Sequence, residues 1–222
     1  MFRPCPSCGH AHAHDLAWET TSKAEAKRRS AHFIYRLDAL TRWRSKLGHW
    51  LVSRRINKLM KGRVLDIGCG DGCTVKNGAV PFGIEISREQ AAIASPVFEA
   101  RGGCVINAPA VEGLDAFDPS FFDAILMRSY LEHESQPSAV LAKVFELLRP
   151  GGKVYVKVPN FAGVNRRVMG SRWCGFRFPD HVSYFTGKSL RRVAQAAGFE
   201  YRRLNVLSPF DDNIIAVLTR HS

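Results

Sequence analysis

Val64-Leu65-Asp66-Ile67-Gly68-Cys69-Gly70-Asp71-Gly72 sets a short apolar run ahead of three glycines spaced two apart, with one acid before them and one among them. Glycines at this density let the backbone turn sharply and let a ligand approach where another residue would place a Cβ. Such a turn opens onto the amino end of a helix, whose unpaired N–H groups favour negative charge on the ligand. Thirteen residues after Gly72, the apolar segment Pro81-Phe82-Gly83-Ile84 ends in Glu85. An acid at the tip of the next parallel strand is placed to accept the two hydroxyls of a ribose. Together the loop and the acid predict a nucleoside-bearing ligand. The dinucleotide pattern G-x-G-x-x-G would need glycine at position 73, and the chain has Cys73 there.

A separate constellation lies at the amino terminus: Cys5-Pro6-Ser7-Cys8-Gly9-His10-Ala11-His12-Ala13-His14. Cys-x-x-Cys-Gly forms a tight turn that can offer two thiolates to one metal, and histidines can complete a tetrahedral zinc site. Cys5, Cys8, His12 and His14 are the expected ligands of a structural zinc. A full zinc ribbon has a second Cys-x-x-Cys, which this chain lacks, and a free terminus is the alternative.

At 222 residues the chain suits one α/β domain with enough apolar content for a sizeable core. Its first twenty residues hold no apolar stretch of the secretory kind, and no apolar run is long enough to span a bilayer. Six cysteines without regular spacing favour a reducing compartment, so the expected location is cytoplasmic. The net charge is +12, and thirteen Lys or Arg against two acids between Thr20 and Arg63 supply +11 of it. That segment reads either as a solvated helical face or as a surface steering an anionic partner.

The elements that position the loop follow from periodicity. Phe33, Leu37, Leu40, Leu47 and Leu51 recur at helical spacing, so about residues 22–60 read as one or two amphipathic helices, with Gly48 as a break. From Arg63 strands and helices alternate. Strands are expected at Val64–Ile67, Phe82–Ile86, Cys104–Asn107, Asp123–Met127 and Lys153–Val158, the fourth apolar enough to be buried on both faces. Helices are expected at Cys73 to about Asn77, at Arg88–Arg101 with an interruption near Pro96, and at Pro137–Leu148. Thr186 reads as the N-cap of a helix through Ala197, with Gly198 following it. Phe199–Val206 and Ile214–Thr219 close the chain as an antiparallel edge pair. This pattern predicts a doubly wound, mostly parallel α/β sheet with an N-terminal helical extension. Residues 1–60 then form a cap on the same domain, and residues 61–222 its core.

The motif series resembles the class I S-adenosylmethionine-dependent methyltransferases, in the small-molecule branch that includes ubiquinone-biosynthesis O-methyltransferases and sugar or cell-surface pathway enzymes. It is carried by Asp66–Gly72, Ser129-Tyr130-Leu131-Glu132-His133, Leu147-Leu148-Arg149-Pro150-Gly151-Gly152-Lys153-Val154 and Val158-Pro159-Asn160. Trp173, Pro179-Asp180-His181, Tyr184-Phe185-Thr186 and Ala197-Gly198-Phe199 complete it over roughly residues 62–205. The resemblance implies a Rossmann-like sheet of seven strands, S-adenosylmethionine as methyl donor and an O, N or C acceptor. It implies that Asp66, Gly68, Cys69, Gly70, Asp71 and Gly72 hold the methionine part of that cofactor. Glu85 then takes the ribose, and Ile86 packs on adenine. Ala110 and Val111 offer backbone groups where many relatives carry an acid, and Met127 and Arg128 line the sulfonium side. The spacing from Gly68 to Glu85, 17 residues, requires a short first helix. The absence of Asn/Asp-Pro-Pro-Tyr/Phe after the fourth strand counts against exocyclic amines of bases as acceptors.

Methyl transfer to a hydroxyl needs the nucleophile placed in line and its proton removed. His181 is the first candidate base and His133 the second, the alternative for each being a loop-fixing histidine. Arg166, Arg167, Arg172 and Arg177 crowd the same segment, where they either bind a carboxylate or phosphate or are solvated. The expected activity is S-adenosylmethionine-dependent methyl transfer to a small-molecule hydroxyl, with the acceptor anionic or neutral. The alternatives are a methyltransferase of RNA or another polyanion, suggested by the +11 segment, and a non-catalytic S-adenosylmethionine-binding module.

Overall fold

The computed structural model describes residues 2–4, 11–13, 54, 56, 60–72, 75, 78–206 and 211–221. Seven strands form the main sheet. They are β3 (Gly62–Ile67), β4 (Ala79–Ile84), β5 (Cys104–Ile106), β6 (Phe122–Arg128), β7 (Leu148–Pro159), β9 (Glu200–Arg203) and β10 (Asn213–Thr219). Their order is β5-β4-β3-β6-β7-β10-β9. The pairs β3–β4, β3–β6, β4–β5 and β6–β7 are parallel, and β10 is antiparallel to both β7 and β9. The expected mostly parallel seven-stranded sheet is therefore present. The two last strands form the expected antiparallel pair at one edge, with β10 against β7 and β9 outermost.

Successive residues of a strand face opposite sides, and both sides of this sheet are covered. Leu65, Ile67, Ile125, Met127, Val154 and Val156 pack on one face with Val140, Val144, Leu190 and Val193. Those four come from helices α3 (Pro137–Leu147) and α5 (Gly187–Ala196). Val64, Ala124, Leu126 and Tyr155 pack on the other face with Ala94 and Phe98 of α1 (Arg88–Glu99). The central strands read as unbroken apolar runs because neither of their faces meets water.

Ser87 caps α1 by accepting the Gln90 N–H, and the helix carries Pro96 within it rather than breaking there. A five-residue helix, α2 (Ala110–Leu114), follows β5. Strand β7 begins at Leu148 and runs through Arg149-Pro150-Gly151-Gly152, so those residues enter the sheet instead of only ending α3. Its register against β6 shifts between Phe122 and Ala124. Thr186 caps α5 in a reciprocal box with Ser189, and Gly198 follows with φ +92°, as the sequence predicts. No helix is found between β3 and β4 among the described residues, where Val75 lies in a bend. Of the helix expected over 73–77, the other four positions lie outside the described residues.

A second sheet was not foreseen. β1 (Phe2–Pro4) and β2 (Ala11–Ala13) pair antiparallel, and β2 pairs with β8 (Ser183–Tyr184), Ala11 opposite Tyr184 and His12 opposite Ser183. Cys5, Cys8 and His14 lie outside the described residues, and of His12 only the backbone placement is described. The expected zinc site therefore finds no support in the described residues. The amphipathic helices of residues 22–60 and the break at Gly48 also lie outside them, save positions 54, 56 and 60. No helix among the described residues is long and apolar enough to cross a membrane.

Candidate active site

The carboxyl ends of β3, β4 and β6 meet at one edge of the sheet, as a doubly wound topology requires of a ligand site. Gly68, directly after β3, has φ +72°, and a Cβ built there would meet only the Tyr130 ring, at 4.0 Å. The loop backbone is thus open to a ligand at the first glycine. Glu85 follows β4 and is nearly buried. Its Oε2 accepts the Gly70 N–H at 2.8 Å and its Oε1 accepts the Ser87 N–H at 2.9 Å. One acid therefore ties the glycine loop to the start of α1, and each of its oxygens has lone-pair capacity beyond the single bond described.

Next to it Ile86 is 72% exposed, a large apolar surface at the tip of the strand. Asn107 braces this corner from behind, its Nδ2 donating to the carbonyls of Glu85 (2.8 Å) and Ile86 (3.1 Å). The third-strand segment, which lacks an acid, thus uses an amide to fix the backbone of the second. Ala110 and Val111 begin α2, and the Val111 side chain is 41% exposed. Sequence reasoning missed the part played by Asn107.

Asp66 is wholly buried, and burial pushes its carboxyl up to about 6, against the pull of Arg128. Arg128 Nη2 donates to Asp66 Oδ2 at 3.1 Å. Of the other expected cofactor contacts, Cys69 is buried with its thiol pushed up to about 12 by desolvation and by Asp66. Met127 has no exposed surface and belongs to the core beneath the sheet. The side chains of these two residues pack the fold, while Gly68, Gly70, Asp71, Ile86, Val111 and Arg128 keep exposed surface.

Beyond β6 the chain turns at Ser129, which takes φ +52° and donates its N–H to the Lys157 carbonyl. A left-handed non-glycine residue at a strand end is costly and is held only by its surroundings. The turn delivers Tyr130 over the glycine loop, with its hydroxyl bonded to Glu134. A single 3-10 turn, Leu131–His133, comes next.

The two candidate bases, His133 and His181, lie together, ring centroids 4.8 Å apart and edge to face. His133 is exposed and its Nδ1 lies 2.6 Å from the Asp180 carbonyl. His181 is 2% exposed, and its Nδ1 lies 2.8 Å from the Gly175 carbonyl. A carbonyl can only accept, so each Nδ1 carries a proton, and the Nε2 of His181 has no hydrogen-bond partner among the described residues. Desolvation by burial lowers His181 to about 4, which keeps it neutral.

Glu132 completes the cluster, and the sequence reading had given it no role. One ligand-type atom from each of Glu132, His133 and His181 lies within 4.8 Å of the others. Glu132 is 1% exposed, and its Oε2 has no hydrogen-bond partner among the described residues. Burial lifts its carboxyl from 4.5 to about 7, against the pull of Lys157 and Arg177. Between those values the folded chain holds a proton that the unfolded chain has released. The stability from this group is full below the unfolded value and is lost as pH rises through about 7. Glu132→Gln should therefore gain on the parent protein as pH is raised from about 5 to about 8 in chemical denaturation, by about 3 kcal/mol at the upper end. A difference that stays flat over that range would rule out a buried proton on Glu132. His181 contributes with the opposite sign, its share being lost as pH falls from 6.5 through about 4.

The wall behind the histidines is aromatic. Trp173, Phe176, Tyr184 and Phe161 touch in sequence with centroids 5.3–5.7 Å apart. Trp173 and Tyr184 are themselves buried, and Trp173 Nε1 donates to Asp212 Oδ1 at 2.9 Å. They hold the loop that carries His181. Arg166 lies over the Phe161 ring at 4.2 Å, on α4 (Val164–Met169), and Arg167 and Arg172 are exposed.

A family model described as a methyltransferase domain matches residues 31–204, most of the chain. The chain belongs to this methyltransferase family, in the class I fold. Among curated relatives it is 31% identical over 153 residues to the ubiquinone biosynthesis O-methyltransferase of Paraburkholderia phymatum, covering 61% of this chain and 63% of that one. The protein of the same description from Idiomarina loihiensis is 27% identical over 215 residues, covering 84% and 86%. The chain thus spans less than two thirds of the Paraburkholderia relative's length.

Among solved structures, an S-adenosylmethionine-dependent methyltransferase from Archaeoglobus fulgidus superposes with TM-score 0.62 at 14% identity, over 85% of this chain and all of the other. The 1,6-didemethyltoxoflavin-N1-methyltransferase of Burkholderia thailandensis, solved with bound 1,6-didemethyltoxoflavin and S-adenosylhomocysteine, gives a TM-score of 0.56 at 18% identity over 96% of each chain. Both likenesses are of fold.

Proposed function

We propose that this chain transfers a methyl group from S-adenosylmethionine to a hydroxyl of a small molecule. The observation that carries the reading is the cradle at the ends of β3 and β4. Gly68 is open, Glu85 is clamped between Gly70 and Ser87 with acceptor capacity in hand, and exposed Ile86 stands beside it. These are the features a ribose, an adenine face and an amino-acid arm require at one strand edge. The residues fit the cofactor, and its sulfonium supplies an electrophilic methyl group when bound. The ubiquinone biosynthesis O-methyltransferases support oxygen as the acceptor atom.

The chain's own part is to bind, orient and deprotonate. Glu85 would hold the ribose hydroxyls, Ile86 the adenine face, and the N–H groups at the start of α2, at Ala110 and Val111, the adenine edge. His133, exposed and with its Nδ1 held by the Asp180 carbonyl, would take the acceptor's proton. His181 sits behind it, neutral and buried, and fixes its ring edge-on. This reverses the order that sequence spacing suggested for the two histidines. We assign the protein to the cytoplasm on its free thiols, Cys69 and Cys104 among the described residues.

Calorimetry with S-adenosylhomocysteine tests the binding step, and a saturable single-site isotherm is expected. No heat at millimolar ligand would remove the enzyme reading. Transfer of a labelled methyl group to a panel of phenols, catechols and sugar hydroxyls, with RNA as a parallel substrate, tests the acceptor. Label appearing in RNA alone would overturn the small-molecule assignment.

A further inference from the structure

The acceptor side of the site is built differently from the cofactor side. Gly68 and Glu85 directly follow strands of the main sheet, whereas Glu132, His133 and His181 are carried by one 3-10 turn and by the chain leading into β8. Three bonds tie that chain to the domain. The Val182 N–H donates to the Glu132 carbonyl at 3.0 Å, Ser183 Oγ donates to the Glu134 carbonyl at 2.7 Å, and the Phe161 N–H donates to the Phe185 carbonyl at 2.8 Å. Its strand partner comes from the amino terminus. Ala11 and His12 of β2 lie opposite Tyr184 and Ser183, and β2 is itself paired with β1 from Phe2 opposite Ala13 to Pro4 opposite Ala11.

This wall carries a reason to open. Glu132 Oε2 and His181 Nε2 are both buried, and neither has a hydrogen-bond partner among the described residues. The two side chains come within 4.8 Å of each other through a polar atom of each. A buried polar atom without a partner is destabilising, and contact with water would relieve it. Two of them in one place favour any movement of residues 181–185 that lets water in. Holding the wall shut therefore needs a restraint from outside the cluster.

Strand pairing supplies one. A two-stranded hairpin is marginal in water, and a third strand is what makes such a unit stable. β8 is that third strand for β1 and β2, so the hairpin and the wall stabilise each other. We propose that the amino-terminal hairpin is a positioning element of methyl transfer: by pairing with β8 it keeps the wall behind His133 closed and dry, while the cofactor cradle at β3 and β4 stands without it. The inference rests on the reading of His133 as the acceptor-side base.

Two double variants of the full chain test it. Ala11→Pro with Ala13→Pro takes two backbone donors out of β2, and Ala11→Thr with Ala13→Thr keeps both in residues that favour strands. Hydrogen exchange over residues 181–185 should quicken at least about tenfold in the proline variant and stay within about twofold of the parent in the threonine variant. Affinity for S-adenosylhomocysteine should stay within about twofold of the parent in both. With whichever phenol or catechol the parent methylates, the proline variant should lose about 10–100-fold in kcat at an unchanged KM for S-adenosylmethionine. Unchanged exchange, faster exchange with unchanged kcat, or a threonine variant that loses as much as the proline one would each overturn the positioning role. So would a proline variant whose S-adenosylhomocysteine affinity falls in step with kcat, because the hairpin would then support the whole domain. Parent protein that binds no S-adenosylhomocysteine would remove the cofactor reading, and the exchange comparison would still decide whether the hairpin holds the wall.

Discussion

Glu85→Ala is expected to weaken S-adenosylhomocysteine binding by about 100- to 10,000-fold. Each carboxylate oxygen already takes one backbone N–H, from Gly70 and from Ser87, and each can accept one ribose hydroxyl more. A hydrogen bond to a charged group contributes about 1.5–3 kcal/mol, and each 1.4 kcal/mol is tenfold, so losing two gives that range. The alanine variant also releases the Gly70 N–H and loosens the loop, which costs about 1–3 kcal/mol of stability where those groups are partly buried. Binding and stability therefore have to be measured together, by calorimetry and by denaturant midpoint. Glu85→Gln separates the two effects. It keeps one acceptor oxygen but turns the other position into a donor facing an N–H, so affinity should fall while the side-chain volume is kept. An alanine variant that folds and binds within threefold of the parent would show that the acid serves the loop alone.

His133→Ala should lower kcat about 10²- to 10⁴-fold, the usual range for a general base, and leave S-adenosylhomocysteine affinity within about twofold. The residual rate should climb with pH, because an acceptor that is already ionised no longer needs the imidazole. His181→Ala should act differently. It vacates a buried position and leaves the Gly175 carbonyl without its donor, so its main expression is lost stability. The neutral, desolvated imidazole of His181 is also a weak base, since burial lowers it to about 4. If His181→Ala at unchanged stability lost more in kcat than His133→Ala, the buried ring would be the base and the assignment would be reversed.

The parallel half of the sheet was legible because its strands are buried on both faces and read as unbroken apolar runs, Asp123–Met127 above all. The Thr186 cap was legible because capping depends on residue types a few positions apart. What escaped the sequence depends on distant partners. Nothing local shows that Met127 belongs to the core while Arg128, its neighbour, is partly exposed on the face of Asp66, since that alternation is set by the register with β3. The strands at Phe2–Pro4, Ala11–Ala13 and Ser183–Tyr184 are too short to have a period. Glu132 sits next to a histidine in a loop and reads as a solvated acid. Only the fold, which bonds the Val182 N–H to the Glu132 carbonyl at 3.0 Å and brings His181 onto it, makes it a buried one. Arg149–Gly152 carries every local sign of a turn, yet it pairs as part of β7 because its Gly151 N–H finds the Arg220 carbonyl at 2.8 Å.

The placement of β10 between β7 and β9 also bears on how this chain is made by a ribosome. Strand β9 pairs with β10 alone among the described strands, yet it emerges first. At about 5–20 residues per second, the ten residues from Arg203 to Asn213 leave β9 without its partner for roughly a second. An unpaired strand is a template for another nascent chain. Glu200, Arg202 and Arg203 place charge on three of the four positions of β9, a composition that resists such pairing until its own partner arrives.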